Sequence, residues 1–245
     1  MTSDKVRNNA QSTDFDESMP AMSLQAFGLL LFAAVAGALL AILVLPRWLP
    51  AMNSSLQGSA PQVFWFLSRS SALVAYILLW FSMASGLLIT NKLARLWPGG
   101  PVAFDLHQYT SLLGLAISLF HALILMGDRY IQFTLPVVLI PFTSSEYRPL
   151  WVGLGQVSFY LLAIVSLSFY VRRKITPRVW RSIHYVSFLT YALALAHGIA
   201  SGTDSSLVWV SGMYWISGGM LLFFFIYRIL VITLKPRPLA AKQTS

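Results

Sequence analysis

The stretch FDLHQYTSLLGLAISLFHALIL occupies residues 104–125 of the chain. It is apolar over a length that can cross a bilayer, which takes about 20 residues, yet it carries His107 and His121 fourteen positions apart. A second stretch, RSIHYVSFLTYALALAHGI at 181–199, carries His184 and His197 thirteen positions apart. The 245-residue chain has four histidines in all. An unpaired imidazole is costly inside a membrane, so this pattern indicates a functional site.

The composition is typical of an integral membrane protein. Hydrophobic residues make up 57% of the chain and charged residues 10%, where a soluble domain carries roughly 25% charged residues. The net charge of +9 lies mainly between the apolar segments, which favours membrane orientation over nucleic-acid binding. The chain has no cysteine, and this excludes disulfides, thiolate metal sites, iron–sulfur clusters and covalently attached c-type haem.

Hydropathy predicts an all-α fold, a bundle of six transmembrane helices. The predicted spans are Leu24–Leu45 (ended by Pro46), 63–90, Leu106–Met126, Leu150–Val171, Val179–Ala200 and Leu207–Leu230. We expect a disordered cytoplasmic tail over residues 1–23, a six-helix domain over 24–232 and a short cytoplasmic tail over 233–245. The apolar segment FTLPVVLIPF, 133–142, is too short to cross and is predicted to be interfacial or re-entrant.

Lysine and arginine counts predict the orientation of these spans. One side of the predicted bundle carries twelve of these cations and the other four, with Arg228 near a span end. The richer side is expected to be cytoplasmic, which places both termini inside. We therefore predict a multi-pass membrane protein with both ends on the cytoplasmic side.

Helix direction predicts which histidines meet. The third and fifth spans run the same way, so His107 is expected opposite His184 near the inner face and His121 opposite His197 near the outer face. At 1.5 Å per residue the two layers lie about 20 Å apart. Each layer then offers the two axial imidazoles that one b-type haem needs. On the fifth span, thirteen residues miss the starting face by ~140°, which predicts a π-bulge, a kink or different ring approach angles.

Three other interpretations of the histidines stay open. Each one can serve as a helix–helix hydrogen-bonding group. A catalytic zinc site needs its ligands around one ion, which two layers do not provide. A proton pathway usually includes a carboxylate at depth, and the third and fifth spans have none between their histidines. A haem-free transporter or channel remains the corresponding alternative function.

Side chains near the histidines have candidate supporting roles. Arg69, at the outer end of the second span, is the best-placed partner for a haem propionate, although membrane topology explains it too. Thr110 and Ser118 are positioned to accept the second N–H of His107 and His121. Gly114 suits either the approach of a porphyrin or close helix packing.

The runs LHQYTSLLGLAISLFHALIL, EYRPLWVGLGQVSFYLL and TPRVWRSIHYVSFLTYALALAHGIASGTD resemble the transmembrane domain of the ferric reductase and NADPH oxidase family. The resemblance covers roughly residues 64–232. It implies that His107 and His184 bind an inner haem iron and that His121 and His197 bind an outer one. The Trp180, His184 and His197 pattern is also similar to the haem-bearing membrane subunit of the methionine sulfoxide reductase system.

The resemblance implies a two-haem b-type protein that passes electrons from the cytoplasmic side, or from quinol, to an extracytoplasmic acceptor. The chain differs from eukaryotic members of the family in having no G-x-G-x-x-G run, so we expect no flavin or nicotinamide site within it. The chain is then similar to a stand-alone bacterial form, which implies a location in the bacterial inner membrane and a separate donor, a flavoprotein or quinol. The acceptor is ferric chelate, oxygen or a partner reductase; in this last case the chain is a relay subunit and has no substrate site of its own.

Overall fold

Seven α-helices make up the fold in a computed structural model that describes residues 20–48, 63–96, 99–128, 131 and 133–234. They are α1 (Leu24–Trp48), α2 (Val63–Thr90), α3 (Gly100–Ile124), α4 (Leu135–Leu139), α5 (Pro149–Val171), α6 (Pro177–Ser201) and α7 (Val208–Thr233). All except α4 are long and apolar enough to cross a membrane, so the chain is a multi-pass membrane protein. Residues 1–19 and 235–245, which hold most of the two predicted tails, lie outside the described residues.

The predicted spans correspond to α1, α2, α3, α5, α6 and α7, with ends that differ by up to six residues. The first span was expected to end before Pro46, but α1 continues through that proline to Trp48. The third was expected to begin at Leu106, but α3 begins at Gly100. Prolines in the first turn start α3, α5 and α6, where the missing N–H has no intrahelical partner to lose.

The long helices form two closely packed pairs with a gap between them. The first pair is α2 with α3, and the second is α5 with α6. Helix α1 packs on the outside of α3, and α7 packs on α2 and α6. Among the described residues, the backbones of α3 and α6 hardly approach each other. The two helices that carry the histidines therefore face each other across a gap.

A buried cluster of hydroxyl groups ties the pairs together at mid-height. The Tyr76 hydroxyl lies 2.7 Å from that of Tyr191 and 2.6 Å from that of Ser217, which joins α2, α6 and α7. Tyr191 stands seven residues after His184 and six before His197, so the cluster lies between the two histidine levels. Buried hydroxyls need such partners because water cannot supply them there.

The short helix α4 confirms that residues 133–142 do not span. Side chains of α5 donate hydrogen bonds to the backbone carbonyls at the end of α4. The Gln156 amide donates to the carbonyls of Val137 and Val138, at 2.6 and 2.8 Å, and the Tyr160 hydroxyl donates to that of Leu139. Non-helical backbone is tolerated at membrane depth only where protein supplies such partners.

Candidate functional site

The structure brings the four histidines together as two pairs. The ring centroids of His107 and His184 are 5.8 Å apart, with 75° between the ring planes. Those of His121 and His197 are 6.4 Å apart, with 69° between the planes. Each pair joins one ring from α3 to one from α6 across the gap. This is the pairing that the parallel direction of the two spans predicted.

Three of the four rings donate a hydrogen bond to a backbone carbonyl. The Nδ1 of His107 lies 2.8 Å from the carbonyl of Ser82, and the Nδ1 of His121 lies 2.8 Å from that of Ser68. The Nδ1 of His197 lies 2.8 Å from the carbonyl of Trp151. A carbonyl only accepts, so each Nδ1 carries the proton and each neutral ring keeps a free lone pair on Nε2. Metal-binding histidines are usually held in this way.

The two serine partners repeat the spacing of the histidines. Ser68 and Ser82 are fourteen residues apart on α2, as His121 and His107 are on the antiparallel α3. The serine hydroxyls also approach the rings, at 2.9 Å from the Nδ1 of His121 and 3.2 Å from that of His107. The equal spacing of two serines and two histidines is visible in the sequence, and no prediction above used it.

The predicted partners Thr110 and Ser118 are wrong. The Thr110 hydroxyl donates to the carbonyl of Leu106, and the Ser118 hydroxyl donates to that of Gly114, both at 2.7 Å. Each hydroxyl bonds within its own helix because Ser and Thr side chains can reach the carbonyl four residues earlier. Gly114 lies against α2, where a Cβ would stand 3.5 Å from the Cβ of Leu78, an ordinary contact distance, and its suggested role in the approach of a porphyrin stays a prediction.

His184 is held differently from the other three rings. It has no hydrogen bond to its ring nitrogens among the described residues. It stacks on the indole of Trp180, one turn earlier on α6, with centroids 5.0 Å apart and 14° between the planes. Residues four apart lie on the same face of a helix, which brings the two rings together.

The thirteen-residue spacing on α6 is accommodated by ring direction. The helix is unbroken from Pro177 to Ser201 and contains no π-type turn, so the π-bulge alternative is wrong. His197 reaches towards α5, where its Nδ1 bonds to Trp151, whereas His184 lies against Trp180 on its own helix. The two rings therefore enter the gap from different sides of α6.

Two glycines make room for the imidazoles. A Cβ on Gly155 of α5 would lie 2.5 Å from the Nδ1 of His197, closer than real contacts allow. A Cβ on Gly86 of α2 would lie 3.2 Å from the Cε1 of His107. Nothing in the sequence alone marks these glycines, because each acts on a histidine of another helix.

A largely apolar cavity of about 230 Å³ opens beside the His121–His197 pair. Aliphatic and aromatic side chains of α2, α3, α5, α6 and α7 line it, including Leu79 and Leu162. At one end lie Arg69 and Ser201. The Ser201 hydroxyl is buried and has no hydrogen-bond partner among the described residues, so it offers an unused donor to a bound group.

Arg69 forms an ion pair within the protein. Its Nε donates to the Asp204 carboxylate at 2.7 Å, and its Nη2 donates to the second carboxylate oxygen. The two side chains are 29% and 20% exposed. This bidentate pair fastens α2 to the loop between α6 and α7. Arg69 lines the cavity, as a propionate partner would, but its first partner is Asp204.

The donor set suits a cofactor that supplies most of its own ligands. Among the residues that the structure describes, no three His, Cys, Asp or Glu side chains gather around one point. A haem iron takes four nitrogens from the porphyrin and needs two from the protein. Two imidazoles on opposite sides of one ion, with bonds of about 2 Å, have ring centroids about 6 Å apart. The separations of 5.8 and 6.4 Å fit this arrangement.

Comparison with known families gives one match over residues 63–204, more than half of the chain, to the model described as "Domain of unknown function (DUF8596)". The chain belongs to this family. The DUF8596 region runs from the start of α2 to Asp204 and so contains both histidine pairs, both glycines and the Arg69–Asp204 ion pair. No curated protein and no solved structure matches the chain. Helices α1 and α7 lie outside the DUF8596 region.

Proposed function

We propose that this chain is a two-haem b-type electron-transfer protein of the membrane, similar to the transmembrane domain of ferric reductases. His107 and His184 would bind one haem, and His121 and His197 the other. Electrons would pass from a cytoplasmic donor or quinol to an extracytoplasmic acceptor. The single observation that carries the proposal is that the histidines form two pairs, and that in each pair the rings face each other at a separation that suits two ligands of one haem iron.

Each part of the site has a role in this proposal. Bound haem would supply reversible one-electron iron chemistry. The carbonyls of Ser82, Ser68 and Trp151 hold Nδ1–H and leave Nε2 of three rings free to bind. The apolar lining around His121 and His197 excludes water, which raises the strength of every electrostatic interaction within it.

The way the paired rings face each other, rather than their hydrogen bonds, favours this proposal over a purely structural role for the histidines. The bonds from Nδ1 of His107 and His121 to α2 and of His197 to α5 would serve a structural role equally well. Here three rings use Nδ1 and direct the rest of the imidazole towards another imidazole. In the His121–His197 pair both Nδ1 atoms carry the proton, so neither Nε2 can donate to the other, and a positive ion between them would satisfy both lone pairs.

The cation distribution supports an orientation with both termini in the cytoplasm of a bacterial cell. In that orientation the loop between α5 and α6, with Arg173, Lys174 and Arg178, lies inside. The His107–His184 pair is then the inner site, and the His121–His197 pair is the outer site. Asp204 and Arg69 lie at the extracytoplasmic end.

The test is haem content per chain and a reduced-minus-oxidised spectrum of protein purified from haem-replete cells. We expect about two b haems per chain. Changing one histidine to alanine should leave about one, and His107→Ala with His184→Ala should cost no more than either change alone, because both belong to one site. Thr110→Ala is the matched control, since Thr110 is buried on α3 one turn from His107 and bonds to its own helix.

Two results would contradict the proposal. A colourless protein would return the histidines to structural or proton-handling roles. If His107→Ala and His184→Ala each removed a different haem, the pairing would be wrong. Reduction of ferric chelate by chemically reduced protein without a partner then separates a reductase from a relay subunit.

A further inference from the structure

The two histidine pairs differ in how their rings are held. In the His121–His197 pair both rings donate Nδ1–H to a backbone carbonyl. In the His107–His184 pair only His107 does so. Among the described residues His184 has no such acceptor, and the flat face of Trp180 takes the place of one.

We propose that Trp180 is a positioning residue that fixes the ring plane of His184. Because this stack replaces a hydrogen bond to the ring, the His107–His184 site has the higher midpoint potential of the two. This inference rests on the proposed function, because it concerns haem bound between these rings. Trp180 touches the ligand and no reacting atom, so its effect acts through His184.

The stacking geometry gives Trp180 this capacity. Its indole lies nearly parallel to the imidazole, at 14°, and covers one face of it. Rotation of His184 about its side-chain bonds would need the two rings to separate. Beyond burial, a stacked aromatic pair stabilises its geometry by an amount comparable to a neutral hydrogen bond. The stack can therefore orient the ring in place of a carbonyl.

The stack differs from a carbonyl in its effect on the metal. An N–H bonded to a carbonyl makes the imidazole a more basic ligand. A more basic ligand stabilises the oxidised ion and lowers the reduction potential, and hydrogen bonding is one of the means by which proteins tune it. The His121–His197 site has two such ligands and the His107–His184 site has one, which gives the order of potentials.

The order of potentials has a consequence for transfer across the membrane. In the proposed orientation electrons move outward, from the site of higher potential to that of lower potential. The membrane potential, negative inside, favours this outward movement of negative charge. The chain would thus depend on an energised membrane for fast outward transfer.

The experiment compares Trp180→Leu, Trp180→Phe and Trp209→Leu in the full chain. Trp209 is a 61% exposed tryptophan at the start of α7 and serves as the matched control. Haem content of the unmodified protein is measured first. Redox titration and electron paramagnetic resonance of the oxidised haems follow, with His121→Ala and His107→Ala, which each leave one site, used to assign the signals.

In the unmodified protein we expect at least a ten-fold difference in reduced-to-oxidised ratio between the sites, or about 59 mV for one electron. Trp180→Leu should alter the resonance signal and potential of the His107–His184 haem and lower its occupancy. Trp180→Phe should keep them near normal, and Trp209→Leu should change nothing. The haem at the other site reports in every variant that the bundle has folded.

Three results would overturn the inference. If Trp180→Leu leaves the signal and the potential of the His107–His184 haem unchanged, Trp180 is not a positioning residue. If the potentials are equal or in the opposite order, the hydrogen-bond difference does not set them. If the unmodified protein holds no haem, the proposed function itself fails, which the first measurement shows before any variant is made.

Discussion

His197 donates its Nδ1–H to the backbone carbonyl of Trp151, 2.8 Å away on α5. One turn later on the same helix, Gly155 leaves the space that the imidazole occupies. Helix α5 contributes no histidine to either pair, yet it forms the surface against which the His197 ring packs. The spacing of the histidines does not predict this contact with α5. The first test concerns it.

Gly155→Ala should remove the haem of the His121–His197 site and leave the other. The added methyl would lie 2.5 Å from the Nδ1 of His197, so the ring must leave its seat and its bond to Trp151. Haem per chain, measured as the pyridine haemochrome, should fall from about two to about one. Gly212→Ala is the control, because a Cβ there meets nothing within 4 Å. Retention of both haems would show that the seat tolerates a methyl group.

Ser68→Ala and Ser82→Ala should each retain both haems. The acceptors for His121 and His107 are the backbone carbonyls of these residues, which an alanine keeps. Loss of the hydroxyl contact should cost about 1 kcal/mol of stability, the usual contribution of one hydrogen bond. The measurements are haem content and melting temperature in detergent. Loss of a haem from either variant would identify the hydroxyl as the necessary acceptor.

Both oxidised haems should give low-spin resonance signals of large g anisotropy. The imidazole planes stand 75° and 69° apart in the two pairs. Nearly perpendicular ligand planes leave two of the iron d orbitals close in energy, and this raises the anisotropy. Low-temperature electron paramagnetic resonance of the oxidised protein measures it. Rhombic signals of low anisotropy from both sites would mean that the rings turn parallel when they bind.

Arg69→Gln and Asp204→Asn should lower the melting temperature by similar, non-additive amounts. The two side chains form a bidentate ion pair that is partly exposed, so we expect a coupling energy of about 1 kcal/mol. A double-mutant cycle measures it. Haem content separates the two roles of Arg69: if it binds a propionate, Arg69→Gln loses haem where Asp204→Asn does not.

Gln156→Leu should loosen α4 while the long helices stay folded. The change leaves the carbonyls of Val137 and Val138 without their side-chain donor, at a cost of about 1–3 kcal/mol. Amide hydrogen exchange over residues 135–142 should speed up. Gln108→Leu, at the opposite end of the bundle, is the control, since the Gln108 side chain contacts Ala21 and not α4. Unchanged exchange in α4 would show that packing alone holds it.

The sequence predicted the six spans and the pairing of the histidines because both depend on simple regularities. Apolar length defines a span, and helix direction alone places His107 with His184. The supports were out of reach for a physical reason. The histidine rings donate to the backbone carbonyls of Ser68, Ser82 and Trp151. Every residue has a backbone carbonyl, so residue type does not reveal which ones accept.

Other errors came from reasoning within one helix. Thr110 and Ser118 were placed near the rings by their spacing on α3, yet their hydroxyls bond to α3 itself. The ion pair of Arg69 with Asp204 was missed because the two residues are 135 positions apart and no local pattern connects them, and the role of Arg69 towards a propionate stays a prediction. The family resemblance and the roles of the histidines as haem ligands stay predictions.

The matched fourteen-residue spacings on α2 and α3 restrict how this protein can change through evolution. Inserting or deleting one residue between His107 and His121 would rotate one ring away from its serine carbonyl while the other stayed in place. A viable change in the distance between the two sites would need compensating changes of equal length in α2 and α6. Lineages of this family should therefore vary freely in loops and tails, and keep the length of these three helical segments fixed.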